Sequence, residues 1–197
     1  MGSVRGSGID SYQAWSLLIR PDEVKHLVPQ ARALRSGTCP ASVAASTVIQ
    51  GLLNYKRDTK RVSRRSAGGR RKISRRVPVE EALSPRTSIR RGRGDCEDFS
   101  IATVSLLIAM GHTAAVGIGE LSVEGGVEGH AWVIGRDRTR WYQLEPQTGE
   151  VVRYATNPVT TPVTGATLTL SGLIVSNHCR QETAALILPD GRLKPVA

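Results

Sequence analysis

Three short stretches of the chain bring together the residue types that thiol chemistry requires. In Gly92-Arg93-Gly94-Asp95-Cys96-Glu97-Asp98 a cysteine follows a glycine-rich turn at the start of an apolar run. In Gly129-His130-Ala131-Trp132-Val133 a histidine opens a strand-like segment, and in Trp141-Tyr142-Gln143-Leu144-Glu145-Pro146 an acid closes the next one. A thiol in the first turn of a helix gains stabilisation of its anion from the unpaired backbone N–H groups. A neutral imidazole can take the thiol proton, and a carboxylate can hold that imidazole in the productive tautomer. Cys96, His130 and Glu145 are therefore the catalytic candidates. Asp95, Gly94 and Trp132 support them: Asp95 as a helix N-cap, Gly94 in the turn, Trp132 as a core or pocket wall. One effect opposes the thiolate, because Asp95, Glu97 and Asp98 surround Cys96 with negative charge. A helix dipole worth ~0.3–1 kcal/mol at an exposed site does not offset three carboxylates. The reactivity of Cys96 should thus depend on His130, with Arg90, Arg91 and Arg93 available to soften the charge.

Positioning such a set needs a helix for the cysteine and adjacent strands for its partners. Asp95 precedes an apolar helical face through Ile101, Val104, Leu107 and Ile108, which Gly111 stops. Strand candidates follow at Ala114–Leu121, Gly129–Ile134 and Arg140–Leu144, and two more at Ala166–Val175 and Ala184–Leu188. Upstream, Met1–Gly8 reads as a flexible start. Tyr12–Leu53 reads as mostly helical, with Trp15, Leu18 and Ile19 on one face and Ala45, Val48, Ile49 and Leu52 on another. Breaks are expected at Pro29 and across Gly37–Pro40, and a short helical turn at Val79–Leu83 is expected to stop at Pro85. Helices first, then a helix leading into an antiparallel sheet, is an α+β layout. The chain divides into an N-terminal helical part (1–55), a basic loop or arm (56–77) and a core (78–197), forming a single domain overall.

The charge is as uneven as the chemistry. Of 27 Lys and Arg against 17 Asp and Glu in 197 residues, Lys56–Arg93 holds 15 basic and three acidic, a local +12. The remainder holds 12 basic and 14 acidic residues, net −2, which excludes a uniformly basic, histone-like protein. Arg64, Arg65, Arg70, Arg71, Lys72, Arg75 and Arg76 are the polyanion-binding candidates, in a stretch with no apolar periodicity and a Gly pair. Four readings of it stand: a nucleic-acid or other polyanion site, a dock for an acidic protein partner or substrate, a solvated loop, and a dibasic processing segment. Only Tyr55 stands near it, so base stacking is not supported. Three cysteines without CxxC spacing disfavour a disulfide framework or structural zinc; Cys39 and Cys179 read as structural thiols. No signal peptide and no apolar run long enough to cross a membrane is visible. A reducing, cytoplasmic setting without membrane contact is the expectation.

The set GRGDCEDFSIATVSLLIAMGH, GHAWVIG and WYQLEPQTG resembles the core of transglutaminase-like cysteine proteinases, within the papain-like group, over about 70 residues from Pro78 to Gly149. The resemblance implies a catalytic Cys at the N-terminus of a helix packed on an antiparallel sheet. It implies Cys96 as nucleophile, His130 as base and acid, and Glu145 as orienting residue, where the family more often has Asp. It also implies a protein or peptide substrate, no cofactor and no metal. The backbone N–H of Cys96 would be one oxyanion donor, and Gln50 and Asn54 are available upstream as a second. Cysteine protease, deamidase and transglutaminase activities share the implied acyl-enzyme. The alternative is a non-catalytic papain-like module, such as a virion or nucleoprotein component, that uses the basic arm on nucleic acid or an acidic partner.

Overall fold

The computed structural model of the protein describes residues 3–5, 15, 17–35, 39–57, 59–65, 72–78, 81–123, 126–137, 140–154, 180–187 and 193–195. In chain order these form β1 (Ser3–Arg5), α1 (Pro21–Val24), a 3-10 turn (Lys25–Leu27), α2 (Val28–Leu34), α3 (Ala41–Gln50), β2 (Asn54–Tyr55), β3 (Thr59–Arg65) and β4 (Lys72–Pro78). They continue as β5 (Glu81–Leu83), α4 (Pro85–Arg91), β6 (Arg93–Gly94), α5 (Cys96–Ala109), β7 (Thr113–Val123) and β8 (Gly126–Asp137). The last described elements are β9 (Arg140–Glu145), β10 (Glu150–Tyr154), β11 (Arg180–Ile187) and β12 (Leu193–Pro195).

The organising element is α5. Every residue from Glu97 to Leu107 is buried, so the helix is covered on all sides rather than along one stripe. It packs against α1, α3 and α4 as well as β7 and β8, and Phe99, Ile101, Val104, Leu106 and Leu107 supply the apolar volume. Burying a side chain of that size stabilises by roughly 1.5–3 kcal/mol. The sheet is antiparallel throughout, in the order β10-β9-β8-β7-β11-β12, with Ala114, Val116, Ala131, Val133, Tyr142 and Leu144 in the same core cluster as α5. This is the α+β layout expected from the sequence. Among the described residues no helix is long and apolar enough to cross a membrane.

Several local expectations are corrected. Part of the stretch read as a flexible start is β1, which pairs antiparallel with β5. Pro29 lies inside the first turn of α2, where a missing N–H costs nothing, so it helps begin that helix. Pro85 likewise opens α4 instead of stopping a helical turn, and Glu81–Leu83 before it is a strand. The basic stretch read as a loop contains an antiparallel ribbon of β3 and β4, paired from Thr59↔Pro78 to Arg65↔Lys72. That register centres on Gly68–Gly69, and Val62, Ile73 and Val77 provide the β-branched positions that favour strands. Among the described residues this ribbon pairs only with itself. The strand expected at Ala166–Val175 lies outside the described residues.

Candidate active site

The approach to Cys96 is built from short pieces fixed by backbone bonds. Gly92 ends α4 in the left-handed conformation (φ 64°), which suits glycine. The chain then runs as β6 parallel to β2, with Asn54 N–H donating to Gly92 O at 3.0 Å and Lys56 N–H to Gly94 O at 2.7 Å. A Cβ on Gly94 would lie 2.5 Å from Asp98 Cβ, so the segment passes the helix closely enough to exclude any side chain there. Asp98 Oδ1, deeply buried, accepts the Leu83 N–H at 2.8 Å and so ties β5 to the first turn of α5. Asp95 occupies the N-cap position but makes no side-chain cap bond, correcting the role expected of it. Its carboxyl group is hydrogen-bonded to Glu97 instead.

Opposite this helix start, β8 carries His130 and β9 ends in Glu145. The register Val133↔Leu144, continued by one residue, sets Glu145 across from Trp132 and one diagonal step from His130. The side chains meet: His130 Nε2 and Glu145 Oε2 are 2.6 Å apart, both largely shielded from solvent. The extra methylene of Glu, relative to Asp, therefore does not prevent contact. Glu145 Oε1 also accepts the Gln147 N–H at 3.3 Å. Trp132, 1% exposed, stacks beneath the imidazole with ring centroids 6.0 Å apart. Gln50 braces the turn after Glu145, donating from Nε2 to Pro146 O at 3.0 Å.

The thiol of Cys96 is partly buried and donates to Glu97 Oε2 at 3.2 Å. Burial first, then the negative charges of Glu97 and Asp95 and the bond to Glu97, hold it well above the usual thiol range. A hydrogen bond with the backbone amide of Ala131, the residue after His130, pulls the other way. At neutral pH this thiol accordingly keeps its proton. Glu97 is itself raised, chiefly by burial. Of the arginines expected to soften this charge, Arg90 and Arg93 are exposed, and Arg91 reaches Glu81 at 3.9 Å.

A folded-state carboxyl raised by burial stabilises below its unfolded value and loses that contribution as pH rises through the folded one. Glutamine at position 97 stays neutral throughout. Glu97→Gln is therefore expected to raise Tm by about 2–4 °C near pH 7, the response of a domain this size to ~1 kcal/mol. Near about pH 4, where both side chains are neutral, the difference should vanish. Differential scanning calorimetry at the two pH values checks this, and an equal shift at both would contradict it.

Of the two upstream side chains, Asn54 donates from Nδ2 to Gly92 O at 3.2 Å and Gln50 is engaged as above. The residue the sequence reading passed over is Tyr55. Through β2 it pairs with Gly94, two residues before Cys96, and it stays 52% exposed. Burial of part of the ring raises its phenol pKa, and the nearby charges of Cys96, Asp95 and Glu97 add to this against the pull of Arg57. A run ending in Asn-Tyr just before a basic stretch gave no sequence signal for this. The parallel pairing of β2 with β6 reveals it. Cys39, just before α3, donates weakly to Pro40 O at 3.7 Å. Cys179, Arg70 and Arg71 lie outside the described residues. Arg64, Arg65, Lys72, Arg75 and Arg76 are on the ribbon of β3 and β4.

A comparison with curated proteins finds no match for the chain. A family model does match, over residues 47–146. It begins within α3, some thirty residues before the stretch that carries the resemblance in the sequence, and so takes in Gln50, Tyr55 and the ribbon as well as Cys96, His130 and Glu145. That model describes the transglutaminase-like superfamily and covers half of the chain, and the protein belongs to this superfamily.

Proposed function

We propose that the protein is a thiol-dependent acyl-transfer enzyme acting on peptide or side-chain amides through Cys96, His130 and Glu145. Membership of the superfamily supports papain-like thiol chemistry in general. The observation that carries the particular assignment is the 2.6 Å contact of His130 Nε2 with Glu145, beside a helix that begins at Cys96. With Nε2 held by the carboxylate, Nδ1 is the nitrogen left to serve the thiol. It accepts the Cys96 proton as sulfur attacks the amide carbon, giving a tetrahedral oxyanion and an imidazolium stabilised by Glu145. The imidazolium then protonates the departing nitrogen, the C–N bond breaks, and a thioester on Cys96 remains. Water completes a hydrolysis or deamidation, and an amine completes a transfer; in either case His130 takes the acceptor's proton and returns it to sulfur.

The oxyanion needs donors that do not reorganise. The Cys96 backbone N–H is one, and we propose the Tyr55 hydroxyl as the second, since Tyr55 pairs with Gly94, two residues before Cys96. A phenol held above its usual pKa keeps its proton through neutral pH and remains a donor. Tyr55→Phe is expected to lower kcat by about 10²–10³-fold with little change in KM, the effect of losing one oxyanion donor. Steady-state kinetics on any accepted amide substrate would show it, and a change confined to KM would assign Tyr55 to substrate binding instead.

The proposal is tested by mass spectrometry of glutamine-containing peptides and acidic or nucleic-acid-binding proteins incubated with wild type and Cys96→Ala, with and without a primary amine. Cleavage, the small mass gain of deamidation and amine incorporation separate protease, deamidase and transglutaminase activities. A thioester adduct on Cys96 that forms only in the wild type is expected. Absence of any adduct or product across these substrates would favour the non-catalytic module.

A further inference from the structure

The β3–β4 ribbon has two chemically different faces. Nine Lys and Arg and no Asp or Glu lie between Thr59 and Pro78. The pairs Arg61↔Arg76, Ser63↔Ser74 and Arg65↔Lys72 alternate with Lys60↔Val77, Val62↔Arg75 and Arg64↔Ile73. Successive pairs take opposite faces of a ribbon. One face therefore holds four cations and two serines, with Thr59 and Pro78 as its end pair, and the other mixes three cations with Val62, Ile73 and Val77. On the first face two like-charged pairs stand directly opposite each other, an arrangement that destabilises a two-stranded ribbon by itself. A counter-anion spanning both strands reverses the sign of that contribution.

We propose that the face of Arg61, Arg65, Lys72 and Arg76 is a docking surface for the phosphate backbone of double-stranded nucleic acid. A seven-residue ribbon is about 23 Å long, and a two-stranded ribbon fits a B-form major groove ~12 Å wide. Single strands are disfavoured because Thr59–Pro78 contains no aromatic residue on which bases could stack. An acidic protein is disfavoured because the all-basic face lacks the aromatic and large apolar anchors that carry protein interfaces. The ribbon's ends are rooted at the thiol centre. β2 precedes it and pairs with β6 beside Gly94, and β5 follows it and is bonded to Asp98. A bound duplex would thus be tethered to the segments that flank Cys96, which makes proteins carried on nucleic acid the class of substrate brought to the enzyme.

Fluorescence anisotropy of the full chain with a labelled duplex of arbitrary sequence tests this. Binding should be insensitive to sequence, and log K should fall with log[salt] at a slope of about −3 to −4, close to 0.9 for each of four phosphates. The combination Arg61→Gln, Arg65→Gln, Lys72→Gln and Arg76→Gln should bring the slope close to zero and weaken binding by ~10²-fold or more at low salt. Lys60→Gln, Arg64→Gln and Arg75→Gln together, on the other face, should leave most of the slope in place. Labelling of Cys96 by a thiol reagent should match wild type in both variants, reporting an intact fold and keeping this result separate from that on catalysis. Equal loss from the two faces would overturn the proposal. So would tighter binding to a single strand, to an acidic protein or to anionic vesicles than to the duplex.

Discussion

Replacing His130 by alanine is expected to slow alkylation of Cys96 at pH 7 by about 10²–10⁴-fold, the range for loss of a positioned general base. The reason is the setting of the sulfur. Burial and the charges of Glu97 and Asp95 hold the thiol well above its ordinary range, so little thiolate forms without help. The start of α5 and the Ala131 amide lower the cost of the anion but leave the proton without a destination. In the variant the rate should climb about tenfold per pH unit through the alkaline range, as hydroxide replaces the base. The wild type should level off far earlier. Iodoacetamide labelling read by mass spectrometry measures both proteins, with Cys39, outside the proposed triad, as internal reference. Equal labelling of Cys96 in variant and wild type at neutral pH would remove His130 from the mechanism.

Neutralising Glu145 should have the next largest effect on turnover. Its oxygen lies 2.6 Å from His130 Nε2, the length of a charge-assisted hydrogen bond, and it shares its other oxygen with the Gln147 amide. Glu145→Gln keeps the size and the turn but removes the charge that steadies the imidazolium, and it permits the amide to present N–H to the ring. The expected loss in kcat is on the order of 10²-fold or more, bounded by the ~10⁴-fold cost of losing the base itself. Glu145→Asp draws the carboxylate back by one methylene, and an intermediate loss is expected. Pre-steady-state measurement of acyl-enzyme formation isolates the step. Activity within twofold of wild type in the glutamine variant would show that the 2.6 Å contact is structural only.

The three residues of the proposed triad stand out in the sequence because each sits at the boundary of a strongly patterned element. Cys96 follows a glycine turn and opens an apolar helix; His130 and Glu145 mark the start and the end of adjacent strands. Elements whose identity depends on distant pairing were not readable. β1 and β5 have three residues each and exist as strands through each other. The ribbon of β3 and β4 hides its alternation under arginine, because one of its faces has no β-branched or other large apolar residue between its end pair and the turn. Proline was misread twice: at positions 29 and 85 the ring favours a helix start, and the sequence alone does not distinguish a start from a stop. Asp95 has the composition of an N-cap, yet Glu97 two residues later competes for its carboxyl. Tyr55 belongs to the site through a two-residue parallel pairing with a segment forty residues away, which leaves no local trace.

The first turn of α5 is a junction for chain segments that are remote in sequence. β2 joins it through β6, β5 through the Asp98 carboxylate, and β8 through the amide that meets the sulfur. None of the three attachments is local, so a nascent or partly unfolded chain holds the cysteine without the surroundings that the proposed mechanism uses to activate it. Reactivity at Cys96 therefore reports completion of folding. On the proposed mechanism, an incompletely folded molecule would form no acyl-enzyme, a safeguard inherent in where the chain closes on itself.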